Sequence, residues 1–323
     1  MPVNPPEPDE PILLAGAETL AGRAVAVELA ERGYRRIVRL SCDEIAPLRA
    51  QEIDRLVERT RPRWIFVAAG RSGGIAMNRE RPASLMLGTL AAATTVIESA
   101  ARHGCGRLLF FASSCCYPRS HPEPMGPELF GTGDLEPTSR PYAIARIAAA
   151  ELCRSLRQER GCDFVVAVPS HPFGGGAEGN PRQAHVVPAL LARFHDARRA
   201  GASRVVLWGT GRPRRDFIYW RDLGSAALTV MERYPGGGPV NLGCGMDVSI
   251  RELAREVASV VGYRGEIAFD PSHPDGAPVK LLDATELFEL GWRPRWNLRR
   301  ALEEAYRELA ARRKEVPEAP QPA

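Results

Sequence analysis

Lysine is nearly absent from this chain. Of 43 basic side chains in 323 residues, only Lys280 and Lys314 are lysine, and the other 41 are arginine. Long apolar runs are also missing: none reaches the roughly 18 residues that a membrane span needs, so no membrane partner is expected. Seven cysteines stand at irregular spacing, which excludes a disulfide framework and the paired Cys/His spacing of a zinc site. No metal is expected. The first ten residues, MPVNPPEPDE, lack the cationic start and apolar stretch of a secretory signal, so the cytoplasm is the expected compartment. The net charge is +4 with the basic residues scattered rather than clustered, so nucleic acid is not an expected partner. What remains is 44% hydrophobic and 25% charged, the balance of an ordinary globular enzyme of one large or two modest domains.

Residues 1–10 and 314–323 read as disordered tails rich in Pro and Glu. Between them, short apolar runs alternate with helical patterns. Strands are predicted at 11–15, 37–40, 64–68, 107–112 and 164–168, and helices at 20–32, 49–60, 83–103 and 141–157. That alternation predicts an α/β fold, a Rossmann-type doubly wound parallel sheet. Residues 11–168 form the predicted dinucleotide-binding domain, completed by about 216–245. After Pro169, Gly and Pro become frequent and elements interleave irregularly at 185–199, 204–208, 250–262, 282–289 and 297–312. We assign 169–215 and 246–313 to a smaller C-terminal α/β substrate domain.

The first strand runs into Gly16-Ala-Glu-Thr-Leu-Ala-Gly22 and then a helix starting near Leu20. Glycines in such a turn let a pyrophosphate approach the backbone at a helix N-terminus. Thr19 stands where a middle glycine would be, and its Cβ is expected to weaken binding. The same loop serves turn geometry equally well. Arg39, near the end of the second strand, suits a 2′-phosphate, but Asp43 and Glu44 follow it.

Ser113 follows the fourth strand, and Tyr142 and Arg146 open a later helix four residues apart, on one face. A cation beside a phenol favours the phenolate, and a serine hydroxyl can hold a carbonyl oxygen. The trio suits proton transfer to a carbonyl that receives hydride. A tyrosine packed on an Ala-rich helix beside a solvated arginine fits the same residues. Cys115 reads either as an acid/base or as a small core residue, and Cys116 reads identically. His185 reads either as a cap or surface residue before an apolar helix, or as an acid/base.

Longer stretches carry a resemblance. They are Ala68-Ala-Gly-Arg-Ser-Gly-Gly-Ile75, Ser113-Ser-Cys-Cys-Tyr-Pro118, Leu135-Glu-Pro-Thr-Ser-Arg-Pro-Tyr-Ala-Ile-Ala145 and His185-Val-Val-Pro-Ala-Leu-Leu191. Trp208-Gly-Thr-Gly211, Arg215-Asp-Phe217 and Pro274-Asp-Gly-Ala-Pro-Val-Lys-Leu-Leu-Asp283 continue the series. With these, residues 11 to 310 resemble the extended short-chain dehydrogenase/reductases, and within them the GDP-L-fucose synthase branch. The resemblance implies a GDP-linked 4-keto-6-deoxyhexose as substrate. It implies C3/C5 epimerisation by Cys115 and His185, then C4 reduction by NADPH with Ser113, Tyr142 and Arg146. It implies NADP(H), with NAD(H) open, held by Gly16, Thr19, Leu20, Gly22, Arg39, Ala68, Ala69, Tyr142, Arg146 and His171. Arg193, Trp208, Arg215 and Lys280 fall where the GDP-sugar is contacted. A homodimer is implied, formed through the 83–103 helix and the Tyr142 helix.

Lys280 also has an argument of its own. In a chain this biased towards arginine, a lysine inside the folded region suits a phosphate or sugar hydroxyl that needs a compact charge. Three positions depart from the family pattern: Arg146 replaces lysine, Thr19 replaces glycine, and His171 replaces an asparagine. All three bear on the redox half. They keep two alternatives open: a GDP-mannose-type 3,5- or 5-epimerase without net reduction, and a non-catalytic nucleotide-sugar or dinucleotide sensor.

Overall fold

In the first strand, β1 (Ile12–Ala15), Ile12 and Leu14 join one buried cluster while Leu13 and Ala15 join another. Side chains of a strand alternate between faces, so a wholly apolar strand needs cover on both. The computed structural model describes residues 4–45, 49–70, 75–121, 124–176, 185–273 and 275–315. Residues 71–74 and Pro274 of the resembling stretches, and most of the 314–323 tail, lie outside them. The chain continues with α1 (Leu20–Glu31), β2 (Ile37–Leu40), α2 (Ala50–Thr60), β3 (Trp64–Val67), α3 (Ile75–Glu80), α4 (Pro82–Arg102), β4 (Arg107–Phe111), α5 (Arg140–Arg160) and β5 (Phe164–Pro169). The second half adds β6 (His171–Phe173), α6 (Val186–Arg199), β7 (Arg204–Trp208), β8 (Arg214–Tyr219), α7 (Trp220–Arg233) and β9 (Pro239–Leu242). It ends with β10 (Asp247–Ser249), α8 (Ile250–Val261), β11 (Glu266–Asp270), β12 (Val279–Lys280), α9 (Thr285–Glu289) and α10 (Leu298–Glu315).

Six strands form an all-parallel sheet in the order β2-β1-β3-β4-β5-β9. The fold is a Rossmann-type doubly wound sheet. Its strand order reverses between β1 and β3, so a ligand crevice is expected beyond their carboxyl ends. Gly16 and Ala68 lie there. Leu13, Ile65, Leu108 and Val166 turn to the face covered by α2, α4 and α5. Ile12, Phe66, Leu109 and Val165 turn to the face covered by α1 and α7. The later segments make two small sheets beyond the carboxyl edge. In one, β10, β8 and β12 run side by side and β6 pairs with β8; β11 pairs with β7 in the other.

Two expectations need correcting. Residues 7–10 were expected in a tail, but they form a turn fastened to the sheet. The Arg35 amide donates to the Pro8 carbonyl (2.9 Å), and the Arg35 guanidinium pairs with Asp9 (2.7 Å). The other correction concerns α4, whose 21 residues include an 18-residue window of mean hydropathy 1.3, long and apolar enough to cross a membrane by length and composition. Ala and Thr dilute its apolar residues, which hides the length of the run. Its inner face, including Leu85, Ala92, Val96 and Ile97, is buried in the protein.

Candidate active site

The loop after β1 is shaped by close approach of backbones. Gly16 has φ +83°, and a Cβ there would lie 2.6 Å from the Ala69 nitrogen. A Cβ on Gly22 would collide with the Gly16 carbonyl. Thr19 has ordinary extended torsions and is the N-cap of α1. Its hydroxyl accepts from the Gly22 amide (3.0 Å) and donates to the Gly16 carbonyl (2.8 Å). The substitution therefore replaces flexibility with a cap, and the amides of Leu20 and Ala21 are the ones left for an anion. Arg23, on the same turn, has buried Nε and Nη2 atoms with no partner. Arg39 is exposed on β2. Nearby, the Glu18 carboxylate accepts from the Cys42 amide (2.7 Å).

Beyond β4 the chain makes one 3-10 turn, Ser114–Cys116, with Ser113 as its N-cap. The Ser113 hydroxyl oxygen accepts from the Cys115 amide (3.2 Å), which leaves its own proton free to be donated. The turn separates the two cysteines. Cys115 is half-buried, whereas Cys116 is 0% exposed, with its thiol 3.7 Å from the Ala143 carbonyl. Burial pushes the Cys116 thiol up to about 12.

Tyr142 and Arg146 lie on one face of α5, where Pro141 suits the first turn and Gly161 ends the helix in a left-handed cap. The Arg146 guanidinium sits 5.2 Å from the centre of the Tyr142 ring. It donates to the carbonyls of Phe111 (2.6 Å) and Gly70 (3.4 Å), and its Nε is buried without a partner. Burial raises the Tyr142 pKa, and Arg146 opposes that shift without cancelling it. The phenol is therefore protonated at neutral pH.

The second half contributes cations and imidazoles. Lys280 and Arg215 are register partners on β12 and β8. Cys115 is within electrostatic reach of both and of Tyr142. His171, on β6, faces Arg215, Lys280 and His185. Its Nδ1 lies 3.2 Å from the Asp216 carbonyl. A carbonyl only accepts, so Nδ1 carries the proton and Nε2 the lone pair. Burial, reinforced by Arg215 and Lys280, pulls its pKa down to about 3. His185 is the N-cap of α6 but makes no side-chain capping bond. It keeps a solvent-reachable edge, while the protein around its ring removes enough water to lower its pKa. It shares a cleft with Leu20 of the cofactor loop and with Phe173, Leu309 and Arg312.

Three further substrate contacts were expected: Arg193, Trp208 and Lys280. Arg193 is exposed on α6. Trp208 is 70% exposed on β7 and stacks flat on His273, with centroids 4.5 Å apart. Lys280 departs from expectation: its ammonium donates to the carbonyls of Ser114, Tyr117 and Pro118, which leaves no proton for a phosphate.

Residues 12–243 match the model of the NAD dependent epimerase/dehydratase family. The chain belongs to this family. Among curated members, it is 39% identical over 295 residues to GDP-L-fucose synthase 1 of Arabidopsis thaliana, covering 91% of each chain. It is 36% identical over 304 residues to the GDP-L-fucose synthase of Escherichia coli K12, covering 91% of this chain and 95% of that one. A solved structure of GDP-mannoheptose C4 reductase from Campylobacter jejuni, with NADP bound, superposes with a TM-score of 0.84 at 27% identity. It covers 95% of this chain and 100% of that one. As a member of the epimerase/dehydratase family this protein is an enzyme, and its cofactor is a nicotinamide dinucleotide. The residues present fit such a group: open amides at the start of α1 and unpartnered nitrogens on Arg23 and Arg146.

The sequence reading missed two buried polar residues. Asn241, in β9, accepts from the Tyr117 hydroxyl (2.6 Å) and donates to the carbonyls of Met125 and Asp283. A lone asparagine in an otherwise apolar strand was the signal. Asp216 accepts from the Cys244 amide, and burial raises its pKa to about 7.

Proposed function

We propose that the enzyme epimerises a GDP-linked 4-keto-6-deoxyhexose at C3 and C5 and then reduces C4. The observation that carries this reading is the half-exposed Cys115 on the turn of Ser113, beside Tyr142, in a chain that resembles GDP-L-fucose synthases over 91% of its length. The C–H bonds at C3 and C5 are acidic because each neighbours the ketone. Cys115 and His185 remove and return protons there. The lowered pKa of His185 supports a neutral imidazole with a lone pair available at neutral pH. The Ser113 hydroxyl donates to O4. Tyr142, kept protonated by burial, gives its proton to O4 during reduction. Bound NADPH supplies the hydride for C4; Arg39, exposed on β2, supports NADP(H) over NAD(H). Arg193, Trp208 and Arg215 hold the GDP portion. Leu87, 67% exposed on α4, supports a homodimer formed through α4 and α5.

A second reading, epimerisation without net reduction, is favoured by Arg146. It is anchored on two backbone carbonyls, and a guanidinium does not give up a proton. Both readings are tested by incubating the protein with GDP-4-keto-6-deoxymannose in deuterated water, with and without NADPH, under proton NMR. Deuterium at C3 and C5 followed by NADPH-dependent loss of the ketone supports the full reaction. Exchange without reduction supports the second reading, and no exchange rejects both.

A further inference from the structure

Lys280 carries an inference beyond its expected contact. It is one of two lysines among 43 basic residues, and its side chain is buried at 6% exposure. Its ammonium donates to three carbonyls of one turn: Ser114 at 3.0 Å, Tyr117 at 3.1 Å and Pro118 at 3.1 Å. Three acceptors converging on one point suit a tetrahedral ammonium, whereas a planar guanidinium cannot direct its protons that way. The geometry accounts for a lysine at this position in a chain whose other basic residues are arginine in all but one case. Burying an unpaired charge is costly, so the three bonds also explain how the charge is tolerated. The same segment is laced to the stretch beyond the turn. The Met125 amide donates to the Leu281 carbonyl (2.9 Å), and the Asp283 amide donates to the Met125 carbonyl (2.9 Å).

We propose that Lys280 is a positioning residue whose ammonium fixes the Ser114–Pro118 turn, so that the Ser113 hydroxyl and the Cys115 thiol are presented to the sugar. It does not bind the substrate phosphates. This rests on the epimerase reading above.

Lys280→Met and Lys280→Arg, each checked for a cooperative thermal transition, are assayed for deuterium exchange into GDP-4-keto-6-deoxymannose. The expected kcat for exchange falls on the order of 100-fold in both, the cost of misplacing a reacting group by about 1 Å. KM stays within about threefold of the parent. A KM raised roughly tenfold with kcat preserved would make Lys280 a phosphate ligand and overturn the proposal. Lys280→Ala gives an independent arm, because n-propylammonium replaces the missing atoms. It is expected to restore exchange where guanidinium does not, and a folded alanine variant that it fails to rescue counts against the proposal. Labelling of Cys115 by iodoacetamide, followed by mass spectrometry, needs no substrate. Its rate in Lys280→Met is expected to change by roughly threefold or more, since the turn that presents the thiol has lost its anchor; an unchanged rate overturns the positioning role. Parent protein that exchanges no GDP-keto sugar rejects the epimerase reading and leaves labelling to decide on Lys280.

Discussion

Replacing His171 by asparagine should change how stability depends on pH, in a direction the structure fixes. In the folded protein the His171 ring packs edge-on against Phe217, donates from Nδ1 to the Asp216 carbonyl, and faces Arg215, Lys280 and His185. A second proton would place a charge where burial removes water, and the two facing cations add to the cost. The folded pKa is therefore about 3, against an ordinary value of 6.5. Below pH 6.5 the unfolded chain takes up a proton that the native state refuses, so stability falls as pH falls, until the folded group also protonates near pH 3. Each pH unit in that window costs at most about 1.4 kcal/mol. Because the ring is only half-buried and solvent screens part of the effect, roughly 2 kcal/mol is expected between pH 6.5 and 4.5. His171→Asn lacks this term, and His185 and His195, whose pKa values are also lowered, are common to both proteins and cancel. Urea unfolding of both proteins at pH 7.5 and 4.5 measures the difference. Asparagine should be the less stable at pH 7.5 through lost ring packing, and should gain roughly 2 kcal/mol on the parent by pH 4.5. Parallel stability curves would refute the argument.

Cys115→Ala should reduce deuterium exchange by on the order of 100-fold or more. Cys116→Ala should leave exchange within a few-fold and cost about 1–2 kcal/mol of stability in a urea melt, because that thiol is core. Arg146→Met should reduce NADPH oxidation on the order of 100-fold while C3/C5 exchange persists. It strips donors from the Phe111 and Gly70 carbonyls, so a loss of about 2–3 kcal/mol should accompany it in denaturant titration. Thr19→Ala removes the α1 cap and should cost about 1 kcal/mol in thermal melts.

The early strands were legible because each is a short apolar run buried on both faces; β2 spans 37–40 as predicted, and β1 and β3 differ by one residue. The elements β6, β8 and β12 were not read. β12 has two residues, too few to show a period, and β8 opens on two arginines and an aspartate. α7 is buried on nearly every side, so no polar stripe sets it apart from loop. At the site, the helical spacing of Tyr142 and Arg146 was enough to pair them. Cys115 and Cys116 could not be told apart because their difference lies in a 3-10 turn, where neighbours point roughly 120° apart. The rarity of Lys280 marked it as special. Its partners could not be read, since they lie more than 160 positions earlier in the chain and no local pattern connects them.

That separation has a consequence during synthesis. The Ser114–Pro118 turn leaves the ribosome 166 to 162 residues ahead of the lysine that holds it. At typical elongation rates this delay is on the order of ten to thirty seconds. By then all six strands of the parallel sheet, which ends with β9 at Leu242, have been made and can pair, while the turn's carbonyls still face water. A nascent chain, or one cut just before Val279, would hold the whole parallel sheet and an unset catalytic turn, so an incomplete enzyme should be silent even where it has folded.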